Sequence, residues 1–179
     1  MTFRRSILVA LAAALFFGSF ALLAFSRSDR SDQAAGTKRV SAFVPNKPFR
    51  NPFPSASEVR LFVETDYDPK GKPSYSKPQG RVLTASQRAE LESLISVHAI
   101  SPDQEFAACF IPHHFFRYID NAGKVVGDVA VCFCCAGVEQ SAGSNVRLTK
   151  GQMLVADFRK LKSFVSSLGE RTDVQCEGA

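Results

Sequence analysis

Four of the five cysteines and two of the three histidines in this 179-residue chain fall between residues 109 and 135. They are Cys109, His113, His114, Cys132, Cys134 and Cys135; the fifth cysteine, Cys176, lies close to the C-terminus. Three chemistries fit that composition. Cys109, His114, Cys132 and Cys135, with His113 and Cys134 as second choices, would supply the sulfur and imidazole ligands that zinc or Cu(I) prefers. Any of Cys109, Cys132, Cys134, Cys135 and Cys176 can instead pair as disulfides in an oxidising compartment, leaving at least one of the five unpaired within the chain. The Cys132-x2-Cys135 spacing also suits thiol redox chemistry, although reactive pairs of this kind usually sit at a helix N-terminus, where the dipole lowers the thiol pKa. Here the pair closes a strand.

Position in space must decide among these readings, and the flanking pattern predicts a hairpin. Val125 to Phe133 alternates apolar and polar residues, as a half-buried strand does. Two apolar runs, 106–111 and 114–119, precede it and are separated by Pro112, which marks an irregularity in the first arm. Asp120-Asn121-Ala122-Gly123 is the turn. Pivoting at 121–122 sets residue 109 opposite 134 or 135 and residue 114 opposite 129. Cys109 thereby becomes a cross-strand neighbour of the Cys132–Cys135 group, at side-chain separations of about 5 Å.

The string Cys109-Phe-Ile-Pro112-His113-His114, followed by Cys132-Phe133-Cys134-Cys135, resembles the marker of a family of small uncharacterised bacterial proteins, C-x-x-P-R-H, then a hairpin, then C-F-x-C. Cys109, Pro112, His114, Cys132, Phe133 and Cys135 match it. His113 stands where the family has arginine, and Cys134 fills the variable position. The preceding Leu83-Thr84-x-x-Gln87 also fits, so the resemblance spans about residues 83–170. It implies no activity.

The elements around the cluster follow from periodicity and caps. Glu58 to Glu64 reads as a strand, and 66–80, with its prolines and glycines, as a loop. Thr84 and Gln87 form a capping box opening a helix over 84–96, with Leu91, Leu94 and Ile95 on its apolar face and His98 on the same stripe. Thr149 and Gln152 form a second box for a helix over 150–168, in which Leu154, Phe158, Leu161, Val165 and Leu168 make one stripe, Leu148 and Met153 staple the start and Gly169 ends it. The expected domain, residues 58–179, is α+β: a small antiparallel sheet, built on the central hairpin, with two helices packed on one face.

Residues 26–57 read as a proline-rich linker whose Phe43, Phe49 and Phe53 can strap onto the domain. Residues 6–25 form an uncharged apolar run behind Arg4-Arg5, long enough for a membrane helix. The expectation is a membrane partner through residues 6–25, as an anchor or as a signal removed after Ser26, with the domain extracytoplasmic. The formal charge of +5 is concentrated before residue 58; from Glu58 onward 14 basic residues face 15 acidic ones. A near-neutral domain has no nucleic-acid footprint. Gly-rich phosphate loops and G-x-S-x-G are missing, which points away from an enzyme, and no protein partner is legible.

Overall fold

The computed structural model describes residues 47–100 and 110–176. Residues 6–25 and Cys109 lie outside them. Among the described residues, β1 (Lys47–Pro48), β2 (Glu58–Tyr67), β3 (Pro73–Tyr75) and β4 (Arg81–Val82) lead into α1 (Ala85–Ser93). β5 (Ile95–Ala99), β6 (His114–Ile119), β7 (Val125–Cys132), β8 (Gly137–Gln140) and β9 (Gln152–Ala156) follow, and α2 (Phe158–Ser167) is the last element. A six-stranded antiparallel sheet runs β3-β2-β6-β7-β8, with β4 also paired to β2, and a three-stranded sheet runs β1-β5-β9.

This corrects the expected fold class. The described chain is mostly antiparallel sheet, in two sheets, with helices of only 9 and 10 residues. Among the described residues no helix is long and apolar enough to cross a membrane. Both predicted helices give up part of their length to strands that pair with each other. The Thr84–Gln87 box forms as read, but α1 ends at its Leu94 cap, and Ile95 to Ala99 become β5. The Thr149–Gln152 contact forms too, as a turn in which Thr149 N–H donates to Gln152 Oε1 at 3.1 Å. The strand β9 follows it, and the true cap of α2 is Asp157, which accepts from Lys160 N–H at 3.2 Å. Val97 opposite Leu154 and Ile95 opposite Ala156 bury one face of the β5–β9 ladder. Leu154 thus belongs to a period of two, not to the α2 stripe, whose buried members are Leu161, Phe164 and Val165. His98 sits on β5 opposite Met153, with its Nε2 3.0 Å from Ser96 Oγ.

The inner face of the larger sheet supplies Val59, Leu61 and Val63 from β2, Phe116 and Tyr118 from β6, and Val129 and Val131 from β7. These join α2 and the β5–β9 ladder in one core. Phe49 and Phe53, from the stretch read as linker, are 0% and 2% exposed within that core. Burial of two phenylalanines of this size is worth several kcal/mol and holds 47–57 against the domain. Polar contacts reinforce it: Arg88 donates to Ala56 O at 3.0 Å and to Asn51 Oδ1 at 2.9 Å, and buried Glu92 accepts from Asn51 N–H at 2.7 Å.

Phe53 explains the glycine in β7. Its ring packs 5.0 Å from that of Tyr118, and a Cβ added at Gly127 would lie 2.0 Å from Phe53 Cε1. Gly127→Ala is expected to cost about 1–3 kcal/mol through overpacking and Phe53→Ala about 3–5 kcal/mol through the cavity it leaves. In urea titrations the double variant should lose clearly less than the two single losses combined, because removing the ring makes room for the methyl group.

Candidate functional site

The β6–β7 hairpin forms around the predicted turn: Asp120 Oδ1 accepts from Ala122 N–H and Lys124 N–H, both at 2.9 Å, and Gly123 takes φ +79°. The register lies two residues from the expected one: the turn, which sets Ile119 opposite Val125, moves it by one, and an irregularity between Tyr118 and Ile119 moves it by another. His114 pairs with Val131, and Phe116 pairs with Val129. A shift of two keeps every side chain on its face. Among the described residues of the first arm, regular pairing begins at His114, two residues after Pro112.

Alternation separates the two histidines, since neighbouring residues of an extended chain face opposite sides of the sheet. His114, 2% exposed, lies on the inner side, its ring edge-on to Phe133 at 4.7 Å between centroids. Its Nε2 donates to Arg171 O at 2.6 Å; a carbonyl only accepts, so the proton is on Nε2. Burial holds its pKa below the ordinary imidazole value, partly opposed by the Arg171 carbonyl. His113 lies beside Glu64, whose N–H donates to His113 O at 2.8 Å. Its buried Nδ1 has no hydrogen-bond partner among the described residues and sits 3.8 Å from Glu64 Oε2, which accepts from Tyr67 O–H at 3.0 Å. That hydrogen bond to a carboxylate raises the Tyr67 pKa.

β7 ends at Cys132, which pairs with Gly137 across a tight turn. Within the turn Cys135 N–H donates to Cys132 Sγ at 3.3 Å, and Ala136 takes φ +49°. A Cβ at Gly137 would lie 2.6 Å from the Phe110 ring, so only glycine fits there without movement. Two cysteine pairs stand at disulfide distance: Cys132 with Cys135, Cα–Cα 5.6 Å, and Cys134 with Cys176, Cα–Cα 5.3 Å. Both separations suit a disulfide.

The second pair acts on the C-terminal tail. After α2, Gly169 (φ +77°) reverses the chain, and buried Glu170 accepts from Ser76 Oγ at 2.7 Å and Lys77 Nζ at 2.5 Å. Residues 171–176 then cross the end of the sheet as a strap without strand pairing. Arg171 O meets His114, Gln175 Nε2 donates to Thr65 O at 3.3 Å, and Val174 is buried, its carbonyl oxygen 3.8 Å from Cys134 Sγ. A cavity of about 350 Å³ lies beneath, between Val63, Thr65 and Ser76 on one side and Glu170, Val174 and Gln175 on the other.

The cysteines predicted as ligands are therefore brought together as pairs. Cys132 and Cys135 are joined to each other, and Nε2 of His114 is engaged by a backbone carbonyl. Among the described residues no group of three or more His, Cys, Asp or Glu side chains is placed to hold a metal ion. Cys109, the remaining member of the expected set, lies outside them. Sequence reasoning missed Glu170, Ser76 and Lys77, because the fold joins them across more than ninety residues, and the local Glu64–Tyr67 contact, because it forms at an irregularity of β2 that no motif marks. Comparisons with family models, with curated proteins and with solved structures found no match.

The buried neutral His114 gives stability a pH dependence. Its folded pKa is lowered, so below the ordinary imidazole value near 6.5 the unfolded chain binds a proton that the folded chain refuses. Its contribution therefore falls as pH drops from about 7 toward 5. Denaturant midpoints measured across that range should decline, and His114→Gln, which keeps a donor for Arg171 O, should decline less steeply.

Proposed function

We propose that this chain is an exported, disulfide-clasped structural or interaction module, and that its cysteines serve architecture before catalysis. The observation that carries the reading is the Cys134–Cys176 pair, which ties the β7–β8 turn to the C-terminal strap across a sequence separation of 42. Closing a loop of that length removes unfolded-state entropy worth about 4 kcal/mol, and the short Cys132–Cys135 loop less than half as much. Such pairs persist in oxidising compartments, which accords with export of the domain directed by the apolar run at 6–25. Cys132 is 3% exposed and ends a strand, a poor setting for an attacking thiolate, so the thiol-redox reading is the weaker one.

Thiol mapping tests this. Protein expressed in an oxidising compartment and alkylated without reduction is expected to show the two pairs, with Cys109 modified. Reduction should lower the unfolding free energy by about 3–5 kcal/mol, most of it reproduced by Cys134→Ser. A native protein in which Cys132, Cys134, Cys135 and Cys176 all alkylate, or one that retains stoichiometric zinc or copper, would overturn the proposal and restore the metal reading.

A further inference from the structure

The C-terminal strap is held at its two ends by bonds of different kinds. At residue 170 the hold is noncovalent: the buried carboxylate of Glu170 binds Ser76 and Lys77. At residue 176 it is the Cys134–Cys176 bond. Between them the strap contributes one buried side chain, Val174, while Arg171, Asp173 and Gln175 are exposed. Among the described residues it meets the sheet through Arg171 O on His114 and Gln175 on Thr65, and the core through the Val174 side chain. A segment without ladder pairing, with one apolar anchor and one covalent end, is a unit that can open locally while the sheet stays folded.

What lies beneath the strap gives such opening a consequence. The cavity has a fixed half, formed by Val63, Thr65 and Ser76, and a half that belongs to the strap, formed by Val174 and Gln175, with Glu170 at the hinge. Arg171, which also lines the cavity, covers His114, whose Nε2 proton its carbonyl oxygen occupies. Of the two cysteine pairs, Cys134–Cys176 has both partners half-exposed, whereas Cys132 of the other pair is buried. The strap's bond therefore offers an attacking thiol two half-exposed cysteines, the other pair one, Cys135.

We propose that Cys134–Cys176 is a redox latch: its reduction releases residues 171–176, opens the cavity and frees the His114 Nε2–H for a ligand carrying a carbonyl or carboxylate acceptor. The reductant is a dithiol. Its thiolate attacks Cys176 Sγ, the Cys134–Cys176 bond breaks, and Cys134 leaves as a thiolate that takes up a proton. The second thiol of the reductant then resolves the mixed disulfide. Two electrons pass to the protein, which ends with two thiols, and the dithiol ends as a disulfide. The inference rests on the clasp proposed above but asks more of it: that the bond controls a local opening, not only overall stability.

Hydrogen exchange on the full chain tests the latch, with a phosphine reductant and with Cys176→Ser as two independent ways of removing the bond. Alkylation and mass spectrometry establish in each sample which pair is open. With Cys134–Cys176 open, amides of 171–176 are expected to lose protection by about tenfold or more and to exchange through a local opening that costs clearly less than the global unfolding limiting β6 and β7. The His114 ring should titrate closer to the ordinary imidazole range. The Cys132→Ser, Cys135→Ser double variant, oxidised at Cys134–Cys176, should keep the strap closed. Unchanged protection at 171–176 after confirmed reduction overturns the latch and leaves the clasp standing. Exchange of 171–176 only through the same global unfolding as β6 and β7 overturns it too, since the bond would then be no more than a staple of the whole fold. Absence of the bond in oxidised protein removes clasp and latch together.

Discussion

The β2–β6–β7 ladder is the constraint on which the rest of this molecule depends. Its pairing sets Val63 opposite His114 and His114 opposite Val131. Once that register is set, side chains at alternate positions must go to opposite faces. The inner face becomes the floor of the core, and α2 lies over it through contacts such as Phe116 with Phe164, 6.4 Å between ring centroids. The outer face carries a different packing scheme, in which the Arg117 guanidinium stacks 4.5 Å from the Phe62 ring centroid and donates to Tyr75 O–H at 2.8 Å. The same alternation sends His113 and His114 to different environments, one beside a carboxylate and one beneath a carbonyl.

The ladder also explains why the cysteines cluster where they do. β7 stops at Cys132, and its hairpin to β8 turns within four residues. Cys134 and Cys135 therefore leave the turn at the end of the sheet that the C-terminal strap crosses. Cys135 closes locally onto Cys132, and Cys134 reaches the tail. Gly137 and Gly169 permit the two reversals, the first because Phe110 occupies the space of a side chain, the second because the chain turns through positive φ. The strap then gives buried His114 its partner, Arg171 O, while Ser76 and Lys77 satisfy buried Glu170 at its hinge, since a buried polar group without a partner is costly.

Much of the local structure was legible in the residues. The hairpin turn, the Thr84 cap, the Gly169 stop and the strands at 58–64 and 125–132 follow from turn chemistry and alternation. The two helices were read too long for one reason. Leu91, Leu94 and Ile95 fit a helical stripe, and so do Leu154, Phe158 and Leu161. The competing period of two in Ile95-Val97 and Leu154-Ala156 becomes favourable only when those segments find each other across more than fifty residues. The register slip at Tyr118/Ile119 was hidden for a similar reason, since an irregularity of one residue leaves no mark in an alternating pattern.

By itself, the sequence determined which residues have the chemistry to matter: five cysteines, two adjacent histidines and a strand that ends in Cys-Phe-Cys-Cys. It determined too that neighbouring side chains of an extended arm must diverge, because backbone geometry dictates it. Only the tertiary structure decided which cysteine meets which, that His114 faces a backbone carbonyl, and that Glu170 folds back onto Ser76 and Lys77. Disulfide partners and buried hydrogen bonds depend on approach to within a few ångströms, and between residues 134 and 176 that distance is set by the register of the sheet and the path of the tail, which no spacing in the sequence encodes.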